Sequence, residues 1–107
     1  MGDRGNIVIN NKIYLYTHWS GQDLPNILAI ALNRGRERWC DRPYLTRIIF
    51  SEMIRNDIDG TNGFGIDYEY GDGGNDIYVN TERNTITYDN KNYSYELFIK
   101  GFMNYEK

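Results

Sequence analysis

The spacing of apolar residues changes twice along this chain, and that change limits what it can fold into. Ile7-Val8-Ile9 and Ile13-Tyr14-Leu15-Tyr16-Thr17 read as paired strands. Asn10-Asn11 between them suits a left-handed turn, so a hairpin is predicted over residues 7–17. Gly21-Gln22-Asp23 breaks that pattern. Leu24, Ile27, Leu28 and Ala31 then follow helical spacing, with Asp23 as cap, Pro25 in the first turn and Gly35 as stop. Tyr44, Leu45, Ile48, Ile49 and Met53 predict a second helix from about Pro43 to Asn56, with Arg47, Ser51 and Arg55 on another stripe. Residues 57–63 are a loop by composition.

From Phe64 the alternation returns. Phe64 to Tyr70, Ile77-Tyr78-Val79, Thr85 to Tyr88 and Asn92 to Tyr95 read as strands. The last two flank a turn at Asp89-Asn90-Lys91 and put Ile86, Tyr88, Tyr93 and Tyr95 on like faces. Glu96 to Phe102 reads as a short helix or a final strand. The order β-β-α-α-β-β-β-β predicts an α+β fold: an antiparallel β-sheet with two main α-helices packed on one face. A length of 107 residues suits a single domain, 1–107. It is too short for a TIM barrel or a full dinucleotide-binding domain.

Charge is unevenly placed. The net charge of −3 argues against a duplex DNA coat. Residues 34–55 carry six Arg (Arg34, Arg36, Arg38, Arg42, Arg47, Arg55) against Glu37, Asp41 and Glu52, a local +3. Residues 56–96 carry nine acids against Arg83 and Lys91, a local −7. Every cation of the middle block is Arg, whose planar fork suits phosphate, carboxylate or an aromatic face. Cys40 stands alone, so no internal disulfide is expected. The polar opening residues predict no signal peptide, and no apolar run nears the ~20 residues of a membrane span. A cytoplasmic protein is expected, in the host cytoplasm if phage-encoded.

Several motifs reduce to bland readings. Asp57-Ile-Asp59-Gly60-Thr61 has the short signature of haloacid-dehalogenase phosphatases, but it follows a helix end rather than a buried strand. The same loop lacks the ligand spacing of an EF-hand. Gly60, Gly63 and Gly65 have no strand–helix context for a phosphate loop. His18 and Cys40 are too few for a zinc site, so no metal and no cofactor are expected.

Two stretches carry more. Tyr16-Thr-His-Trp-Ser-Gly21 puts His18 and Trp19 between a strand end and a helix start, where free backbone N–H groups welcome anions. Arg34-Gly-Arg-Glu-Arg-Trp39 and Arg42-Pro-Tyr44 interleave Arg with aromatics, a combination for phosphate and a stacked base. A Trp plugging the core and Arg residues paired with internal acids are the structural alternatives.

Met1-Gly-Asp-Arg-Gly-Asn-Ile7, Tyr14-Leu-Tyr-Thr-His-Trp-Ser-Gly21, Leu24-Pro25, Ala31-Leu-Asn-Arg-Gly-Arg-Glu-Arg-Trp39, Asp41, Tyr44-Leu-Thr-Arg-Ile-Ile-Phe-Ser-Glu-Met53 and Gly60-Thr-Asn-Gly-Phe-Gly-Ile66 resemble a family of small phage and bacterial proteins. The resemblance covers roughly residues 1–67 and implies a small, soluble, phage-associated protein. It draws attention to Arg4, His18, Trp19, Arg38, Trp39, Tyr44, Arg47 and Glu52.

The first expectation is therefore a binding protein that sequesters an anionic, nucleotide-like ligand, a signal of bacterial antiviral defence. Arg4, His18, Trp19, Arg36, Arg38, Trp39, Tyr44 and Arg47 would form its ligand-binding set. A homo-oligomer would wrap such a ligand better than one copy. The second is an inhibitor whose acidic half mimics nucleic acid and blocks a host defence protein. The third is a nucleotide-degrading enzyme using His18 with Glu52 or Arg47.

Overall fold

The computed structural model describes residues 2–104. Met1, which opens the resemblance motif, and residues 105–107 lie outside the described residues. The first hairpin forms where its turn allows. Strand β1 (Gly5–Ile9) returns as β2 (Ile13–Thr17), and Asn10 and Asn11 hold φ of 53° and 57° between them. Asn tolerates that left-handed region because its side chain bonds local backbone. The same device joins β5 (Thr85–Tyr88) to β6 (Lys91–Ser94) through Asp89 and Asn90, at φ 53° and 64°.

Helix α1 (Leu24–Arg34) and helix α2 (Arg42–Met53) follow β2, each with Pro in its first turn. Single turns of 3-10 helix, Gly21–Asp23 and Arg36–Arg38, bracket α1. Helix α2 stops at Met53, three residues short of the expected end, because the Asp57 N–H turns back to the Ile54 carbonyl at 2.8 Å. Strand β3 (Phe64–Asp67) also ends early. The Asp67 carboxylate accepts from the Tyr68 and Glu69 backbone N–H groups, which bends the chain out of extension.

The ambiguous last segment is a helix, α3 (Tyr95–Phe102). Ser94 Oγ accepts the Leu97 N–H at 3.1 Å as an N-cap, Glu96 sits in the first turn and Lys100 in the last. Tyr95, Phe98, Ile99 and Phe102 recur at helical spacing and pack into the core.

The sheet has six strands in the order β3-β2-β1-β4-β5-β6, where β4 is Asn75–Asn80. It is mixed, not antiparallel as expected: β1 and β4 run parallel, Gly5 opposite Asn75 and Ile9 opposite Val79. The fold remains α+β. Reading strands in chain order cannot reveal this pairing, because the partners lie 70 positions apart.

The register divides the sheet into two faces. Ile7, Ile9, Leu15, Ile77, Val79 and Ile86 lie on one face and share a single buried cluster with residues of all three helices. The second face carries Asn6, Val8, Tyr14, Tyr16, Gly65, Asp67, Asp76, Tyr78 and Thr87. The segment between β3 and β4 lies against this second face. Tyr70 packs edge-on to Tyr14 with ring centroids 5.6 Å apart, and Asn6 Nδ2 donates to the Asp72 carbonyl at 2.9 Å. Among the described residues no helix is long and apolar enough to cross a membrane.

Candidate functional site

The Arg-rich turn is mostly bonded to itself and to neighbouring helices. Arg36 grips the Glu96 carboxylate with both terminal nitrogens, at 2.6 and 3.3 Å. Arg38 pairs with Asp41 at 3.3 Å, and its guanidinium carbon lies 4.4 Å from the centre of the Tyr44 ring. Trp39 is packed against the core. Its Nε1–H donates to the Leu32 carbonyl at 2.9 Å, and its ring stands edge-on to Tyr95 at 5.1 Å. Tyr44 is half exposed. Arg4 and Arg47 are exposed and make no side-chain hydrogen bond or ion pair among the described residues.

Glu52 ties the two long helices together. Arg34 donates Nε to Oε1 at 3.1 Å, while Arg55 reaches Oε1 at 2.6 Å and Oε2 at 3.2 Å. The Arg55 guanidinium, helped by Arg34, holds the Glu52 carboxyl below the usual carboxylate range. Its folded value is depressed. The stability it contributes is therefore present above its ordinary value of 4.5 and lost as pH falls through the folded value. Glu52→Gln is expected to destabilise the chain by about 1 kcal/mol at neutral pH. Urea unfolding should show the two proteins converging as pH falls below the ordinary carboxylate value of 4.5, and a constant gap would sink the assignment.

The His18 stretch clasps the start of the chain. The His18 carbonyl accepts the Asp3 N–H, and the His18 N–H donates to the Gly63 carbonyl, both at 2.8 Å. The ring Nδ1 lies 3.0 Å from the Tyr16 hydroxyl. Asp3 in turn accepts the Gln22 N–H at the first 3-10 turn. Trp19 is 53% exposed and stands edge-on to Phe64. Gly63 has φ of 98° and lies flat under the Trp19 ring, so any side chain there would strike Cζ3. The Gly-Asp-Arg-Gly opening and the Thr-His-Trp-Ser-Gly run are thus two halves of one structural knot.

These two groups lie at opposite ends of α1, a helix about 16 Å long. His18 and Trp19 precede its first turn, while Arg36, Arg38, Trp39 and Tyr44 follow its last. The length of α1 separates these two groups, and none of the cavities on the 10–12, 14–16 and 52–57 segments takes residues from both.

The cavities lie elsewhere. One of about 460 Å³ is lined by Lys12 and Arg42 with Asn10, Asn11, Asn80, Thr85 and Thr87. Another, of about 280 Å³, sits on the second face of the sheet, lined by Asn6, Tyr14, Tyr16, Asp67, Glu69 and Asp72. A third, of about 360 Å³, includes Asp23, Glu52, Arg55 and Phe64. Asp67, Glu69 and Asp72 were legible as acids but not as cavity walls. The alternation in Tyr14-Leu15-Tyr16 was the one available signal, since it places both tyrosines away from the core.

Above the second face, Tyr70 donates its hydroxyl to Asp76 Oδ2 at 2.7 Å, and this bond pushes the phenol up to about 12. Among the described residues no cluster of three or more His, Cys, Asp or Glu is arranged to hold a metal ion. No family model, curated protein or solved structure matches the chain.

Proposed function

We propose that the chain is a binding protein without chemistry of its own, and that it acts by covering a basic surface of another protein. One observation supports this reading. From Asn56 to Glu82 the sequence has no Lys, Arg or His. Within that stretch Asp67, Glu69, Asp72 and Asp76 gather on and beside the second sheet face, among Tyr14, Tyr16, Tyr70 and Tyr78. Carboxylates interspersed with tyrosines, of which Tyr70 and Tyr78 are exposed and Tyr14 and Tyr16 half-buried, resemble the phosphates and bases that a nucleic-acid-binding groove accepts. In the phage setting that the resemblance implies, the partner is a host nuclease or another defence effector that holds nucleic acid, met in the host cytoplasm. Capture from bacterial lysate tests this. The expected result is retention of nucleic-acid-binding proteins that salt releases. Retention unchanged by salt, or no retention by the folded chain, overturns it.

A second reading, an anionic nucleotide-like ligand, is favoured by the larger cavity. Lys12 and Arg42 there are exposed, make no ion pair among the described residues, and stand with Tyr78, one acid (Glu82) and five amide or hydroxyl side chains. Phosphate would take the two cations, and a base would lie on Tyr78. Calorimetric titration with cyclic and linear nucleotides tests it, with Arg42→Ala expected to abolish any heat. Native mass spectrometry of the same sample reports copy number and any carried ligand, and a homo-oligomer is the expected state.

A further inference from the structure

The 280 Å³ cavity on the acidic face has the chemistry of a socket for one particular cation. It is lined by Tyr14 and Tyr16 together with Asp67, Glu69 and Asp72. Neither ring is loose. Tyr14 is braced edge-on by Tyr70, and the Tyr16 hydroxyl is held by His18. Asn6 also lines it and is only 2% exposed. Its Nδ2 donates to the Asp72 carbonyl at 2.9 Å and to Asp76 Oδ1 at 3.1 Å, which fixes which end of the amide is nitrogen. Its Oδ1 accepts nothing from any described residue. No fully buried side-chain oxygen or nitrogen lacks a partner, so this oxygen opens onto the space that Asn6 lines, the cavity. An acceptor left waiting in an acidic, tyrosine-lined hollow calls for a donor that is both positive and flat.

We propose that this cavity takes the guanidinium group of an arginine side chain presented by the partner protein. The inference rests on the acidic-face reading and names the group that face recognises. Among the described residues no three carboxylates are arranged to hold a metal ion, and the tyrosines lining the cavity favour a flat organic cation. A guanidinium lies flat against tyrosine, spends its fork on a carboxylate and still has an N–H for Asn6 Oδ1. An ammonium has the charge but not the plane.

Titration of the ¹⁵N-labelled chain with N-acetyl-argininamide, followed by NMR, tests this. Saturable shifts are expected at the Asn6 side-chain amide and at Gly65 and Gly71. N-acetyl-lysinamide should bind about tenfold more weakly, the loss of one charge-assisted bond. The neutral isostere N-acetyl-citrullinamide should leave the spectrum unchanged. Equal responses to citrulline, shifts centred elsewhere, or none up to the solubility of the probe would overturn the proposal.

Gly65→Leu supplies the decisive control. An added Cβ at Gly65 meets nothing within 4 Å, so a side chain there starts in open space at the cavity wall and removes no carboxylate. It should abolish the arginine response while circular dichroism and melting stay as in the parent. If Gly65→Leu disturbs folding, Asp72→Asn serves, because no described residue bonds the Asp72 carboxylate. It should weaken arginine binding by about tenfold. A chain that captures its partner equally well with Leu at 65 refutes the socket and leaves the acidic face standing. A chain that binds argininamide in the cavity but captures no basic protein refutes the face and leaves the socket.

Discussion

Trp39→Ala is expected to lower stability by about 3 kcal/mol, the cost of deleting a large core-packed ring. For a domain of this size that is a fall of roughly 15 °C in melting temperature. Three contacts are lost together: the Nε1–H bond to the Leu32 carbonyl, the edge-on packing against Tyr95, and the platform under the Arg36 guanidinium at 5.2 Å. Trp39→Phe keeps most of the ring and should cost about 1 kcal/mol, the share of the indole hydrogen bond. Differential scanning calorimetry separates the two variants. If Trp39 were a ligand platform instead, alanine would leave melting unchanged and remove binding alone. That outcome would overturn the placement of its ring in the core.

The second large effect is on binding. Replacing Asp67, Glu69 and Asp72 together by Lys adds six units of charge and takes the chain from −3 to +3. Partner affinity should fall by more than about 100-fold at low salt, because like charges then face each other across the contact. The parent's own affinity should fall as salt rises, since exposed charges are screened within about 10 Å at moderate ionic strength. Asp67 also ends β3 through its bonds to the Tyr68 and Glu69 N–H groups, so the triple variant is expected to lose a few degrees of melting. Glu69→Lys with Asp72→Lys leaves that turn intact and should still lose most of the affinity. Surface plasmon resonance on the captured partner measures both. Unchanged affinity in the double variant would rule out this face as the contact.

What could be read in the sequence is what local chemistry decides. Asn10-Asn11 announces its hairpin because so few residues accept positive φ. The stripe of Leu24, Leu28 and Ala31 announces a buried helix face. Residues 96–102 stayed ambiguous because a segment so short fits either period. The Ser94 cap resolves it, but a Ser before an acidic residue is equally at home in a turn. What could not be read is remote. Arg36 finds Glu96 sixty positions away, and Arg34 finds Glu52 across a helix pair. An Arg-rich stretch therefore looked available for a ligand while Arg34, Arg36 and Arg38 were committed to internal acids. The cavity at Asn6 exists only because residues near positions 14, 66 and 72 converge on one face.

The parallel pairing of β1 with β4 has a consequence for how the chain is made. On the ribosome, the first strand emerges long before its neighbour, and its open side has nothing native to join until residues 75–79 follow. Residues up to 79 must leave the exit tunnel before the central seam can close, a delay that distant contacts impose on assembly speed. Chains truncated near residue 70 should accordingly be protease-sensitive and prone to cluster through that bare strand. Protection should arrive only when β4 is joined by β5 and α3, which complete the buried cluster with Ile86, Tyr95, Phe98 and Ile99.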